Sequence, residues 1–273
     1  MKGMKNFMSR KIVAIAGGEN GRLLENGKYA PYETEPMDKE IIRLTKKEKP
    51  NFLFLAHSMA ISLDIQESYF QTMKKIYGDK FGCSCKDIKT NELDDHEKVK
   101  FLTEWADIIY EGGGDTSSMI NIWKEKKIDM LLREAFDNGK VICGVSAGAV
   151  CWFNSCNSDC LSKEENGEKT FEIVECLNWI NAFFTPHCDE KGRYNSTKDQ
   201  LKRNNLIGIM MSNCSAIEII DDKYRIITSD AREHGFEKGY GFKAYWINDK
   251  YYEHKLTETS QFIPINELLE KVE

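Results

Sequence analysis

The chain has 273 residues, 41% of them hydrophobic and 11% aromatic, which is enough apolar material to bury a sizeable core. Its 38 Lys and Arg against 44 Asp and Glu leave a net charge of −6, with the basic residues scattered rather than gathered into the stripe that nucleic acid requires. The apolar run behind the basic stretch MKGMKNFMSRK is too short for a secretion signal and no run is long enough to span a membrane, so a cytoplasmic protein without nucleic-acid or membrane partners is expected.

Short apolar runs then alternate with longer amphipathic ones, the pattern of a parallel sheet covered by helices. KIVAIA at 11–16 reads as the first strand. Residues 17–49 are loop-like up to Ile41–Leu44, and a loop of that length in a compact domain is often functional. NFLFLAH at 51–57 is the next strand, and residues 62–77 form a helix with Ile65, Tyr69, Met73 and Ile76 on one face. DIIY at 107–110 precedes a helical stretch at 116–138 that opens on Thr and Ser, breaks near Lys126 and closes at Gly139. KVIC at 140–143 and AFF at 182–184 complete the set of parallel strands. The last third changes character: AIEII at 216–220, YRIIT at 224–228 and GFKAYW at 241–246 read as antiparallel strands, with a turn at 248–250 before YYEH.

No repeat, proline-rich linker or low-complexity segment marks a boundary, so one α/β domain is expected over 1–273. Its mostly parallel sheet is flanked by helices, with a tail at 1–10 and an antiparallel C-terminal extension from about 235 to 273 packed on the core. The Tyr and Phe of those late strands also offer a face for a homodimer. Nine cysteines, an odd number in a long chain, argue for reduced thiols, and neither Cys83/Cys85 nor Cys156/Cys160 repeats a zinc-ligand spacing, so no metal is expected.

Two glycine-rich turns carry the chemistry. Gly144-Val145-Ser146-Ala147-Gly148 fits a nucleophile elbow, in which a strand turns sharply into a helix and lifts the serine above the sheet edge. Landing at a helix N-terminus aims the Ala147 N–H at a developing oxyanion. The plainer alternative is a small-residue turn where helix and strand pack closely. A serine nucleophile needs a base, and of the five histidines His187, in FFTPHCDEKGR after an apolar strand, is best placed. His57 also ends a strand. Glu111-Gly112-Gly113-Gly114-Asp115-Thr116 presents successive N–H groups beyond a strand, and the absence of a following Gly-Lys-Ser/Thr favours an oxyanion hole over a phosphate cradle. The Gly17-Gly18 pair is a weaker signal of the same kind.

The strand-GGGDT-helix element at 112–116, GVSAGA at 144–149 and the strand ending in Pro186-His187, in that order, resemble the peptidase E family of serine peptidases, whose fold is like that of class I glutamine amidotransferases. The resemblance spans about residues 10–230. It implies Ser146 as nucleophile, His187 as general base, an oxyanion hole from Gly113 and Gly114 with Ala147, and no metal or organic cofactor. Serine at the elbow, where related amidotransferases carry cysteine, disfavours glutamine hydrolysis. For the third member, the family's acid soon after the nucleophile matches Asp159, which is the expectation here. A later glutamate of the family falls near Ser212-Asn213, where no acid stands; Glu218 is displaced from the match, and Asn213 offers a hydrogen bond without a carboxylate's charge. Relatives that are dipeptidases for N-terminal aspartate hold the substrate carboxylate with a basic residue after the histidine, for which Arg193 and Lys198 are the candidates. The implied activity is cleavage of short peptides through an acyl-enzyme. Two alternatives stay open: an α/β-hydrolase esterase with His254 as base, and a non-catalytic binding module on the same fold.

Overall fold

Strand β1 (Lys11–Ile15) is apolar on both sides because both are covered: Ile12 and Ala14 face one buried cluster, Val13 and Ile15 another. The computed structural model describes residues 8–24, 26–161, 164–165 and 168–272, so the first seven residues of the expected tail lie outside the described residues. After β1 come α1 (Glu35–Leu44), β2 (Asn51–Leu55), α2 (Leu63–Met73), β3 (Ser84–Ile88), α3 (His96–Trp105) and β4 (Ile108–Glu111). The chain continues through α4 (Thr116–Glu125), α5 (Ile128–Asp137), β5 (Val141–Val145) and the short α6 (Ala147–Val150). Next are β6 (Phe153–Ser158), a small hairpin of β7 (Glu164–Glu165) and β8 (Glu168–Lys169), then β9 (Glu172–Glu175), β10 (Ile180–Thr185) and α7 (Arg193–Asn204). The remainder is β11 (Gly208–Met211), β12 (Ser215–Ile220), β13 (Lys223–Thr228), β14 (Gly241–Ile247), β15 (Lys250–Leu256), β16 (Ile263–Pro264) and α8 (Ile265–Leu269).

Two large sheets result. The eight-stranded one has the order β16-β13-β12-β1-β5-β4-β2-β3, parallel from β1 to β3 and antiparallel from β1 outward through β12, β13 and β16. The six-stranded one has the order β15-β14-β11-β10-β6-β9, with β6, β10 and β11 parallel and the flanking strands antiparallel. The AFF strand expected beside the other parallel strands therefore belongs to the second sheet, and the late antiparallel strands divide between both. The β14–β15 turn has Asn248 and Asp249 at φ 49 and 60, the left-handed pair that a two-residue hairpin loop needs.

Helices α1 and α2 cover one face of the first sheet with Met37, Ile41, Phe70 and Met73. On the other face, Leu102, Met119, Trp123 and Leu132 of α3 to α5 share a core with Phe153, Phe184 and Ile209 of the second sheet. Trp152 joins the layers, its ring 5.7 Å from Trp123 and 4.9 Å from Trp179. Truncating a buried indole of this kind to alanine costs about 3–5 kcal/mol. Helix α7 closes the second sheet's outer face, setting Leu201 against Phe183, Met210 and Ala244.

The helix expected at 62–77 is α2 followed by a wider π-type turn over Lys74–Lys80. Its buried stripe is Gln66, Phe70, Met73, Ile76 and Tyr77, while Ile65 is 50% exposed. The stripe slips because Gln66 is buried with its hydrogen bonds made, to Met59 O, Thr90 Oγ1 and Thr90 N–H, which a count of apolar residues overlooks. The break near Lys126 is present, Lys127 taking φ 57 between α4 and α5, and Asp115 caps α4 by accepting from Ser118 N–H. No helix among the described residues is long and apolar enough to cross a membrane.

Candidate active site

Between β5 and α6 a single residue turns the chain: Ser146, at φ 55 and ψ −113. A non-glycine residue held there stores about 1–3 kcal/mol of strain, so its surroundings must hold it. Ser146 N–H donates to Ile15 O at 3.0 Å and Gly148 N–H to Gly112 O at 3.1 Å. The elbow is pressed so closely on β4 that a Cβ at Gly148 would stand 2.1 Å from Glu111 O, which makes glycine a packing requirement.

His187 follows the end of β10 and is also strained, at φ 126. Its Nε2 lies 2.7 Å from Ser146 Oγ, and its Nδ1 lies 3.0 Å from Asn213 Oδ1. Asn213 stands where the chain leaves β11 in one sheet for β12 in the other. Its backbone N–H and its Nδ2 donate to the two carboxylate oxygens of Asp189, at 2.8 and 2.9 Å. Because Nδ2 faces a carboxylate, Oδ1 must face the ring, so Nδ1 carries the proton and Nε2 offers its lone pair to the serine hydroxyl. Burial, and after it the charge of Arg193, hold the imidazole below its ordinary value, against the opposing pull of Asn213, Glu190 and Asp189. His187 is therefore neutral near pH 7.

The glycine loop closes the other side. Gly112 N–H is spent on Leu55 O and Asp115 N–H on Ser58 O, each at 2.9 Å. Gly113 lies against Ser146, a Cβ there falling 3.3 Å from Ser146 Cβ, and its N–H makes a long 3.3 Å bond to the Tyr69 hydroxyl. Gly114 takes φ 154 beside the Ser58 carbonyl. Ala147 begins α6, so its N–H has no partner within that helix. Burial pushes the Tyr69 phenol up to about 12, which keeps it protonated.

Asp159, the expected third member, does not meet His187. It pairs with Lys169 and, at 3.3 Å, with Arg193 Nη2; burial would raise its carboxyl, but Lys169 and Arg193 hold it low. The position at His187 Nδ1 belongs to Asn213 instead. Arg193, one of the expected substrate-binding residues, is 1% exposed, packed 4.6 Å from the Phe171 ring and ion-paired with Asp159 and Glu190. Its charge is already matched within the protein. Lys198 lies on α7 over Tyr251 at 4.6 Å, against the second sheet's outer hairpin. Glu218 is buried in β12, paired with Arg225 at 2.6 Å and raised to about 7 by burial. His57 is a core residue, bonded to Ile88 O at 2.9 Å and Trp123 Nε1 at 2.8 Å, and burial lowers it to about 4. His254 bonds Tyr245 Oη at 2.9 Å on the β14–β15 hairpin, so the serine's partner is His187.

Gly17, Asp189 and Tyr69 are the members of the constellation whose parts sequence reasoning missed. A Cβ on Gly17 would stand 2.2 Å from Asn213 Oδ1 and 2.4 Å from His187 Nδ1, so the histidine–asparagine bond requires glycine there. The acid two places after His187 was the available signal for Asp189. Among the described residues, Glu33, Cys214 and His234 bring one donor each within 4.8 Å of one another. Glu33 Oε2 already accepts from Glu19 N–H at 2.8 Å and meets His234 Nε2 at 3.1 Å, so two of these three residues are engaged in hydrogen bonds within the protein.

A mixed α/β fold with an elbow serine in contact with a histidine base defines a serine hydrolase. The pattern of peptidase family S51 matches residues 22–227, and the chain belongs to that family, a serine peptidase. It is 27% identical over 216 residues to the uncharacterized peptidase YgaJ of Bacillus subtilis (strain 168), covering 78% of this chain and 85% of that one. Its fold is similar to the crystal structure of a peptidase from an acI-B1 Actinobacterium, with TM-score 0.68, 17% identity and 94% and 98% of the two chains covered. It is similar also to a peptidase E protein from Listeria monocytogenes EGD-e, with TM-score 0.56, 16% identity and 81% and 98% covered.

Proposed function

We propose that the chain cleaves short peptides through an acyl-enzyme formed on Ser146. The observation that carries this reading is the 2.7 Å contact between Ser146 Oγ and His187 Nε2 at a strained elbow. His187 takes the hydroxyl proton as Oγ attacks the scissile carbonyl, then returns it to the leaving amine; water repeats the sequence to release the acid product. On this reading the oxygen that becomes negative accepts from the N–H groups of Gly113, Gly114 and Ala147, Gly113 exchanging its long bond to Tyr69 for a shorter one to the oxyanion. Asn213 fixes the histidine tautomer. The compensated charge of Arg193 and the outer position of Lys198 lend no support to a preference for N-terminal aspartate, so neutral short peptides are the first substrates to try.

A fluorophosphonate probe, with the modified peptide located by mass spectrometry, tests the reading. An adduct on Ser146, absent after Ser146→Ala, is expected, followed by turnover in a dipeptide library that includes N-terminal Asp. A folded protein inert to the probe at high concentration would favour the binding-module alternative.

A further inference from the structure

The polar groups behind His187 continue past the position where a triad ends. Asp189 receives two hydrogen bonds from Asn213, and its side chain is only 11% exposed. On its far side His234 Nδ1 stands 4.0 Å from Asp189 Oδ2, while His234 Nε2 meets Glu33 Oε2 at 3.1 Å. The carboxylate absent from the triad position thus stands one amide further back, fixed at both oxygens.

Resting on the serine-peptidase reading, we propose that Asp189 is a positioning residue that holds the Asn213 amide in one orientation and delivers negative charge through it to His187. Without the carboxylate, the asparagine can turn over and present its NH₂ to Nδ1. The ring proton would then move to Nε2, and the serine would face a donor instead of a base. Asp189 prevents that turn, because the flipped amide would set its oxygen against a carboxylate. It also favours the imidazolium that forms as Ser146 gives up its proton, adding to Glu190 and opposing Arg193, the other charges facing the ring. The titratable groups facing Asp189 itself are His234, Cys188, Cys214 and Tyr240; burial above all pushes the last three to about 12, so they stay neutral near pH 7.

Asp189→Asn keeps the shape and removes the charge. On a short peptide its kcat is expected to fall about 10²- to 10³-fold with KM little changed, a smaller loss than the roughly 10⁴-fold seen when an acid in direct contact with the histidine is amidated. The acid limb of kcat/KM should move to lower pH, since a charge favouring the protonated ring is gone. Asn213→Asp alone crowds two carboxylates and is expected to be impaired. The double variant Asp189→Asn with Asn213→Asp reverses the side-chain hydrogen bond, keeps a single charge and should recover to within about tenfold of the native enzyme. Native kinetics with an unshifted acid limb in Asp189→Asn would overturn the proposal, as would a loss without a pH shift that the double variant fails to rescue. Probe labelling of native Ser146 separates the two levels: an unreactive serine defeats the peptidase reading, whereas a reactive serine with an indifferent Asp189→Asn defeats only this proposal. Melting temperatures confirm that each variant is folded.

Discussion

The two halves of the site are built by different means. Ser146 is held by neighbours in one sheet, β1, β4 and β5, through backbone bonds to Ile15 and Gly112 and through glycines that admit close packing. His187 and Asn213 instead lie beyond the ends of strands in the other sheet, and their mutual bond is roofed by Gly17 at the end of β1. A nucleophile can be made by a local turn. The histidine set against Ser146 here depends on how two sheets meet.

Ser146→Ala tests the local half and should have the largest effect, a loss of about 10⁶-fold in kcat with folding intact, measured by peptide turnover beside circular dichroism. A second test perturbs the first sheet's interior without touching the reacting atoms. Burial lowers His57 to about 4 from 6.5, so the folded state resists protonation that the unfolded chain accepts. Stability from this residue is complete above about pH 6.5 and falls as the pH drops toward 4, by about 3 kcal/mol. Urea midpoints across that range should fall more steeply for the native protein than for His57→Gln.

Gly17→Ala strikes the meeting of the sheets. The added methyl must displace Asn213 or His187, and an ångström of displacement there costs about 10²-fold in turnover. Probe labelling of Ser146 should slow in parallel, because the hydroxyl loses its base. The smallest effect belongs to Lys198→Ala, expected to leave kcat/KM within about twofold; a loss specific to acidic peptides would restore Lys198 as a substrate contact.

The elbow and the parallel strands were legible because each is written in a contiguous stretch: an apolar run, a glycine pair, a serine between them. His187 was legible as a strand-end histidine after Pro186. The third member was not, because its neighbours are distant in sequence. Asn213 and Asp189 are 24 residues apart and meet only because β10 and β11 lie side by side. Asp159 looked suitable as an acid soon after the serine, yet Lys169 and buried Arg193 claim it, and nothing in its own segment announces that competition. A strand's alternation says which face is buried but not which sheet it joins, and for that reason the second sheet was unforeseen.

At the crossing between sheets, Ser212 N–H is tied to Tyr240 O at 2.9 Å and Cys214 N–H to Gly17 O at 3.0 Å, with Asn213 astride the gap. One mooring is on the C-terminal hairpin side and the other on the first sheet's loop. Asn213 is therefore a gauge of alignment: creep between the two layers would be felt first at its bond to the His187 imidazole, while every strand is still intact, and on the peptidase reading turnover would report that both layers have come together.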